Sequence, residues 1–179
     1  MTSQLRVDKI VPVDGVPSGG GGGIVQCVST TKTDTFTTAS TSFTDVTGLS
    51  ATITPKFSTS KIFVIVTTCG NTNGSKGYGR LMRDSTPIDI GTAEGNRPGV
   101  SFTLNSGTTN ATYANKLFNL GYFFLDSPST TSATTYKIQL RNYSGDTSRY
   151  YTINRTENDS NVAYNQRGTS KILLMEVSA

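Results

Sequence analysis

Acid–base chemistry in this chain would depend on its twelve acidic side chains, because the sequence contains no histidine. Histidine is the commonest general base, so its absence excludes the familiar catalytic triads. Glycan cleavage by two carboxylates needs no histidine. The acids considered for such a pair are Asp84, Asp89, Glu94, Asp126, Asp146, Glu157 and Asp159. Most stand in turn-like contexts, where an Asp side chain commonly hydrogen-bonds nearby backbone, so we expect no enzymatic activity.

Metal and cofactor binding are equally unsupported by residue spacing. Cys27 and Cys69 have no neighbouring Cys or His, which excludes the usual zinc and iron spacings. Both stand in strand-like apolar stretches, and we expect two small buried hydrophobic residues in preference to a disulfide. Gly77 and Gly79 lack the following helix that a phosphate-binding loop requires. The sequence therefore predicts no metal and no cofactor.

Surface recognition has more support than catalysis. Between Asn142 and Arg167 the chain combines tyrosines with arginines among polar residues, a mixture typical of adaptable binding surfaces. The alternative is that these tyrosines are ordinary strand residues that pack their rings and expose their hydroxyls. The candidates for such a recognition surface are Tyr143, Arg149, Tyr150, Tyr151, Arg155 and Tyr164.

The charge distribution excludes two further classes. The formal net charge is +4, but Lys and Arg are scattered singly along the chain, whereas phosphate binding needs a basic patch. The first ten residues contain no apolar core of a signal peptide, and no apolar run approaches the roughly 20 residues of a membrane span. We expect no nucleic-acid partner, no membrane insertion and synthesis in a cytoplasm.

Hydroxyl side chains dominate the composition, with 30 Thr and 20 Ser. Thr is β-branched and suits a partly solvated strand, and no helical periodicity persists over a dozen positions. We predict an all-β fold, an antiparallel two-sheet sandwich of jelly-roll type. The predicted strands are Ile24–Thr30, Phe36–Thr38, Ser42–Val46, Ser50–Thr54, Lys61–Cys69, Gly79–Arg83, Ile88–Gly91, Val100–Leu104, Leu117–Asp126, Thr135–Asn142, Tyr150–Asn154 and Lys171–Val177. Asp84–Pro87 and Ser144–Asp146 are predicted hairpin turns.

Five consecutive glycines, Gly19–Gly23, divide the chain. Such a run has no side chains to pack and is typical of a flexible joint. We therefore predict an extended N-terminal anchor at residues 1–18, a linker at 19–23 and a β-sandwich at 24–179. The anchor is rich in aliphatic residues, which we expect to dock on a partner protein by strand pairing. These residues are Leu5, Val7, Ile10, Val11 and Val13.

Two predicted strands, containing Ile62–Val66 and Lys171–Val177, are apolar at nearly every position. A sandwich covers one side of each sheet, so a strand apolar on both sides needs a neighbour on the other. Leu117–Leu125 is too apolar for one face of a strand. We predict a symmetric homo-oligomer whose interface candidates are Phe63, Ile65, Phe118, Tyr122 and Phe124.

Several stretches together resemble short structural proteins of tailed phages, especially those that infect marine cyanobacteria, often described as tail-fibre or virion structural proteins. These stretches are Ser3–Gly23, Thr41–Val66, Arg80–Gly91, Leu125–Gln139 and Lys171–Ala179. The resemblance implies a virion role, an N-terminal stretch that holds the subunit to the particle, and a β-rich part, commonly trimeric, that faces the host and its surface glycans. None of the stretches is a catalytic signature.

This chain is shorter than a long tail fibre, so tail, neck and capsid surface all remain open as its place on the particle. The alternatives to a host-contacting appendage are a capsid-decorating, head-fibre or neck protein with no ligand, and a carbohydrate-binding module that acts alone.

Overall fold

The computed structural model describes residues 23–73, 77–104, 114–143 and 148–178. Within these ranges the chain forms β-strands and no helix, so none of the described segments is a helix that could span a membrane. The strands are β1 (Ile24–Lys32), β2 (Phe36–Thr38), β3 (Thr44–Ile53), β4 (Lys61–Thr72), β5 (Gly77–Arg83), β6 (Thr86–Ile88), β7 (Phe102–Leu104), β8 (Phe118–Asp126), β9 (Thr134–Asn142), β10 (Tyr151–Ile153) and β11 (Ser170–Val177).

The first sheet has six strands arranged around β4. β11 pairs with the first part of β4 and β10 with its last residues, and both lie on the same side of it. β8 pairs with β4 on the opposite side, from Ile62↔Asp126 to Gly70↔Phe118. β1 continues the sheet beyond β11, and β2 continues it beyond β10. All of these pairings are antiparallel, and β1 and β8 lie at opposite edges.

The second sheet has five strands in the order β3-β9-β5-β6, with β7 beside β6 on the same side of β5. Asp84 and Ser85 link β5 to β6 in a two-residue hairpin, and Asp84 has a positive φ of 52°. Its amide donates to the Thr135 carbonyl, and its carboxylate accepts from the Thr135 amide. The hairpin confirms a turn at Asp84 and Ser85, whereas Thr86 and Pro87, the other two residues of the predicted turn, belong to β6.

The core lies between the two sheets. In β9, Tyr136, Ile138 and Leu140 are fully buried while the alternating residues are partly exposed, as the sequence alternation predicts. They pack against the inward residues of the first sheet, including Ile62 and Ile172. This arrangement confirms the all-β, antiparallel two-sheet sandwich. The jelly-roll connectivity stays a prediction.

Gly77 and Gly79 make room for core aromatic rings. A Cβ atom on Gly77 would lie 2.1 Å from the Tyr151 ring, and one on Gly79 would lie 2.0 Å from the Phe102 ring. Phe102 is also the cross-strand partner of Gly79, so its ring covers the backbone that the glycine leaves bare. The glycine pair therefore has a packing role in β5.

Two buried carboxylates hold neighbouring segments together. Asp126 on β8 accepts from Arg83 Nη1 at 3.0 Å and from the Tyr136 hydroxyl at 2.6 Å, which joins the edge strand β8 of the first sheet to β5 and β9 of the second. Glu176 on β11 accepts from the Gln26 amide at 2.5 Å and from the backbone amide of Lys56 at 2.7 Å. Burial alone would raise the pKa of Glu176, but these hydrogen bonds outweigh it and leave the pKa below its ordinary value.

Several strand boundaries differ from the sequence prediction. Ser42–Val46 and Ser50–Thr54 belong to one strand, β3, which carries an irregularity between Asp45 and Ser50. Gly48 lies in this irregularity with φ 79°, a conformation that favours glycine and lets the strand continue past it. The strand predicted at Ile88–Gly91 is instead β6, at Thr86–Ile88, because it starts directly after the Asp84–Ser85 turn.

Cys69 is buried as predicted, and burial raises the pKa of its thiol. Cys27 is exposed, contrary to the prediction, because it lies on the outer face of the edge strand β1. Both thiols are free. The predicted anchor, including Leu5, Val7, Ile10, Val11 and Val13, lies outside the described residues, as do most of the glycine linker and the predicted turn Ser144–Asp146.

Candidate functional site

The outer face of the six-stranded sheet carries apolar side chains that nothing in the described part of the chain covers. Phe123 is 71% exposed and Leu125 is 48% exposed. Their neighbours on β4 and β11 are half-buried. We call this group the outer patch; its members are Phe63, Ile65, Phe123, Leu125, Leu173 and Met175.

Strand register places the outer patch in two adjacent rows. Met175 pairs with Phe63, which pairs with Leu125. In the next row, Leu173 pairs with Ile65, which pairs with Phe123. The Phe63 and Phe123 rings contact each other diagonally between the rows, with centroids 6.4 Å apart. Because cross-strand neighbours lie about 5 Å apart, these side chains form one continuous apolar surface.

The free edge of β8 adjoins the outer patch. Among the described strands, β8 pairs with β4 alone, so from Asn119 to Leu125 no described strand pairs with its other edge. The strand has no charge or proline from Phe118 to Leu125, although charged side chains and proline are the usual protection of a strand edge. An apolar face and an unprotected edge therefore meet along the same strand.

Polar groups border the outer patch at both ends. At one end Lys61 donates to Ser127 Oγ at 3.2 Å, and at the other end Lys171 stands opposite Thr67. Cys27 on β1 is the cross-strand neighbour of Met175 and extends the row toward the far edge. An apolar centre with a polar border is typical of a protein–protein interface.

The structure separates the predicted oligomer-interface residues into two groups. Phe63 and Ile65 lie in the outer patch. Tyr122 and Phe124 are on the inner face of β8 and pack against the core, and Phe118 has the same orientation and lines a cavity of about 290 Å³. Phe123 and Leu125 take the outward positions instead, because the pairing of Ile65 with Phe123 sets the orientation of the whole strand.

The predicted host-contact residues differ in exposure. Tyr143 and Tyr164 are exposed, whereas Tyr151 is fully buried in β10 between β4 and β2 and is not available to a surface ligand. Arg155 lies 5.8 Å from the Tyr150 ring centroid, and both residues are half-buried, as is Arg149. Tyr143 instead contacts Tyr78 on the second sheet, a residue that the sequence prediction missed.

Most of the acids considered for catalysis contact other groups in the described part of the chain. Asp84 is hydrogen-bonded to the Thr135 backbone, and Asp126 accepts from Arg83 and Tyr136. Asp89 accepts from the Tyr122 hydroxyl at 2.5 Å. Glu94 pairs with Arg97, and Asp159 pairs with Arg155 and Arg167. Burial raises the pKa of Glu157. Asp146 lies outside the described residues, and within them no three His, Cys, Asp or Glu side chains group closely enough to hold a metal ion.

No protein-family model and no curated protein matches the chain.

Proposed function

We propose that this chain is a homo-oligomeric structural component of a tailed-phage virion, with residues 1–18 attached to the particle and the β-sandwich exposed for host-surface contact. The observation that supports assembly is the outer patch beside the free edge of β8. Monomeric proteins rarely leave both features exposed, because apolar patches and strand edges recruit other chains. The resemblance of five stretches of the sequence to phage structural proteins supports the virion setting.

A second copy of the chain fits this face by its size. The outer face of β1, β11, β4 and β8 extends about 30 Å along the strands and about 19 Å across them, which gives roughly 570 Å². A stable interface takes about 800 Å² from each partner. The face supplies most of this area, and the β8 edge with its flanking loops can supply the remainder. Three subunits are expected from the phage resemblance.

Light scattering on the purified chain at micromolar concentration tests the assembly. The wild type should give an oligomer, and Phe123→Lys should give a folded monomer, because a charge on the most exposed side chain of the patch would be buried unpaired. Val162→Lys is the matched control, since Val162 is an exposed aliphatic residue outside the patch and its variant should remain oligomeric. A monodisperse wild-type monomer would overturn the proposal.

Deletion of residues 1–18 tests the attachment. The shortened chain should form the same oligomer and fail to join the particle; its incorporation would refute the anchor.

Particles that lack the protein distinguish host contact from capsid decoration. Loss of adsorption supports host contact, whereas normal adsorption with fragile heads would replace it with capsid decoration.

A further inference from the structure

Two arginines on the outer face of the five-stranded sheet share one phenylalanine ring. The guanidinium carbon of Arg80 lies 4.0 Å from the Phe43 centroid, and that of Arg141 lies 5.0 Å from it. Arg141 also lies 5.2 Å from the Tyr78 centroid, and the Tyr78 ring meets Tyr143 edge to face at 5.9 Å. We call these five residues the Arg-aromatic surface. Tyr143 is 62% exposed, so the surface is open to solvent at that end.

The β-sheet register produces this arrangement. Tyr78 on β5 pairs with Arg141 on β9, and Arg80 pairs with Gln139 in the next row. All four side chains point outward because the alternate residues, such as Gly79 and Leu140, face the core. Tyr78, Arg80, Gln139 and Arg141 therefore stand side by side on two paired strands.

The Arg-aromatic surface carries positive charge that no ion pair within the described residues neutralises. Arg80 Nε donates to the uncharged Gln139 at 2.8 Å. The nearby carboxylate, Asp45, accepts from Lys137 at 2.7 Å and from Gln139 at 2.6 Å. Neither Arg80 nor Arg141 forms an ion pair with a residue in the described ranges. Three cations thus face a single carboxylate.

Further observations show that the two guanidinium groups are close and incompletely satisfied. Burial lowers the pKa of Arg80, and the positive charge of Arg141 lowers it further, against the opposing effect of Asp45. Arg141 Nε is buried and has no hydrogen-bond partner in the part of the chain that the structure describes. Two like charges held together, with Asp45 the nearby carboxylate and already bonded to Lys137 and Gln139, attract an anionic ligand.

The chemistry of the side chains specifies the anion. A guanidinium presents its donors in a planar fork that matches a carboxylate, and stacking on a ring reduces the conformational entropy lost when it binds. An exposed aromatic ring has a negative face that attracts the polarised C–H groups of a sugar. We propose that the Arg-aromatic surface binds a saccharide chain that bears carboxylate groups.

A polynucleotide fits this surface less well. Binding along a phosphate backbone requires a continuous basic track. Here the adjacent cation, Lys137, is already paired with Asp45, so the free positive charge does not extend along the face. The surface is on the opposite side of the sandwich from the outer patch, so binding does not depend on assembly.

Calorimetry with a galacturonic-acid hexasaccharide tests the proposal, with the fully methyl-esterified hexasaccharide as the uncharged matched ligand. The acid form should bind and the ester should not. Arg80→Gln and Arg141→Gln should each raise Kd about tenfold or more, because each removes a charge-assisted contact. Arg97→Gln, which changes an exposed arginine elsewhere, should leave Kd unchanged.

Urea unfolding of each variant confirms that it remains folded. If either arginine variant does not fold, the two ligands still test the wild-type protein directly. No binding of the acid form at millimolar concentration, or equal binding of the ester, would overturn the proposal. Tighter binding of a thymidine oligonucleotide than of the hexasaccharide would also overturn it and identify a polynucleotide surface.

Discussion

Asp126 is expected to be the carboxylate whose loss costs the sandwich most, because it connects the two sheets through a buried hydroxyl. Burial raises the pKa of Tyr136 well above its ordinary value, and its hydrogen bond to Asp126 acts in the same direction. The hydroxyl therefore stays protonated and donates at neutral pH. Tyr136 is 0% exposed, so its hydroxyl has no access to water if the carboxylate is removed.

The loss of unfolding free energy expected for Asp126→Ala follows from the two partners of this carboxylate, Tyr136 and Arg83. Asp126→Ala leaves the Tyr136 hydroxyl without an acceptor, which costs about 2 kcal/mol. The ion pair to Arg83 contributes about 1 kcal/mol more, because the Arg83 side chain is 30% exposed and regains water. The variant should thus lose about 3 kcal/mol of unfolding free energy. Tyr136→Phe should lose about 1.5 kcal/mol of unfolding free energy, because the ion pair between Asp126 and Arg83 remains.

A double-mutant cycle tests this reasoning. The double variant should lose about 2 kcal/mol, less than the additive value of about 4.5 kcal/mol, because no hydroxyl remains without a partner. The measurement is urea unfolding followed by circular dichroism, at one fixed subunit concentration because self-association stabilises the folded state. Asp159→Ala removes an exposed ion-paired carboxylate and should cost under about 1 kcal/mol. Additivity of the two substitutions within about 0.5 kcal/mol would refute the reasoning.

Three further predictions concern pH, strand orientation and thiol reactivity. Because the pKa of Glu176 is lowered in the folded protein, its stabilisation is complete above its ordinary value of 4.5 and is lost as the pH falls through the lowered value. Glu176→Gln should therefore flatten the decline of unfolding free energy between pH 7 and pH 3, as measured by urea titrations. Leu174→Ala should lower the unfolding free energy by about 3 kcal/mol because Leu174 is fully buried. Leu173→Ala should mainly weaken self-association, because Leu173 lies on the outer face. Equal losses of unfolding free energy in the two variants would contradict the orientation of β11. Cys27 should react with a maleimide in the folded monomer and more slowly in the oligomer, while Cys69 should stay unreactive in both, as peptide mass spectrometry can show.

The sheet architecture follows from local patterns in the sequence. The strict alternation of β9 and the apolar residues on both sides of β4 predict buried and outward faces that the structure contains. β8 is different, because Tyr122, Phe123, Phe124 and Leu125 are all apolar or aromatic and contain no alternation. Their orientation depends on pairing with β4, which is information from elsewhere in the chain.

The candidate sites were less predictable because their residues are distant in sequence. Phe43, Arg80 and Arg141 meet only when β3, β9 and β5 pair side by side. Their outward positions can be inferred from alternation, but their proximity cannot. Tyr151 shows the opposite effect, since a tyrosine in a polar stretch becomes fully buried when its short strand is enclosed by β4 and β2.

The pairing of β1 with β11 has a mechanical consequence. Gly23 accepts a hydrogen bond from the Ser178 amide, and from there β1 runs antiparallel to β11 through eight paired residues. Tension applied at Gly23 along the strand axis would load the hydrogen bonds between these residue pairs together, in shear. Tension applied across the sheet would break the same hydrogen bonds one after another. A pulling experiment in the two directions should therefore give a higher rupture force along the strand, which is the direction in which a tether that continues β1 would transmit load.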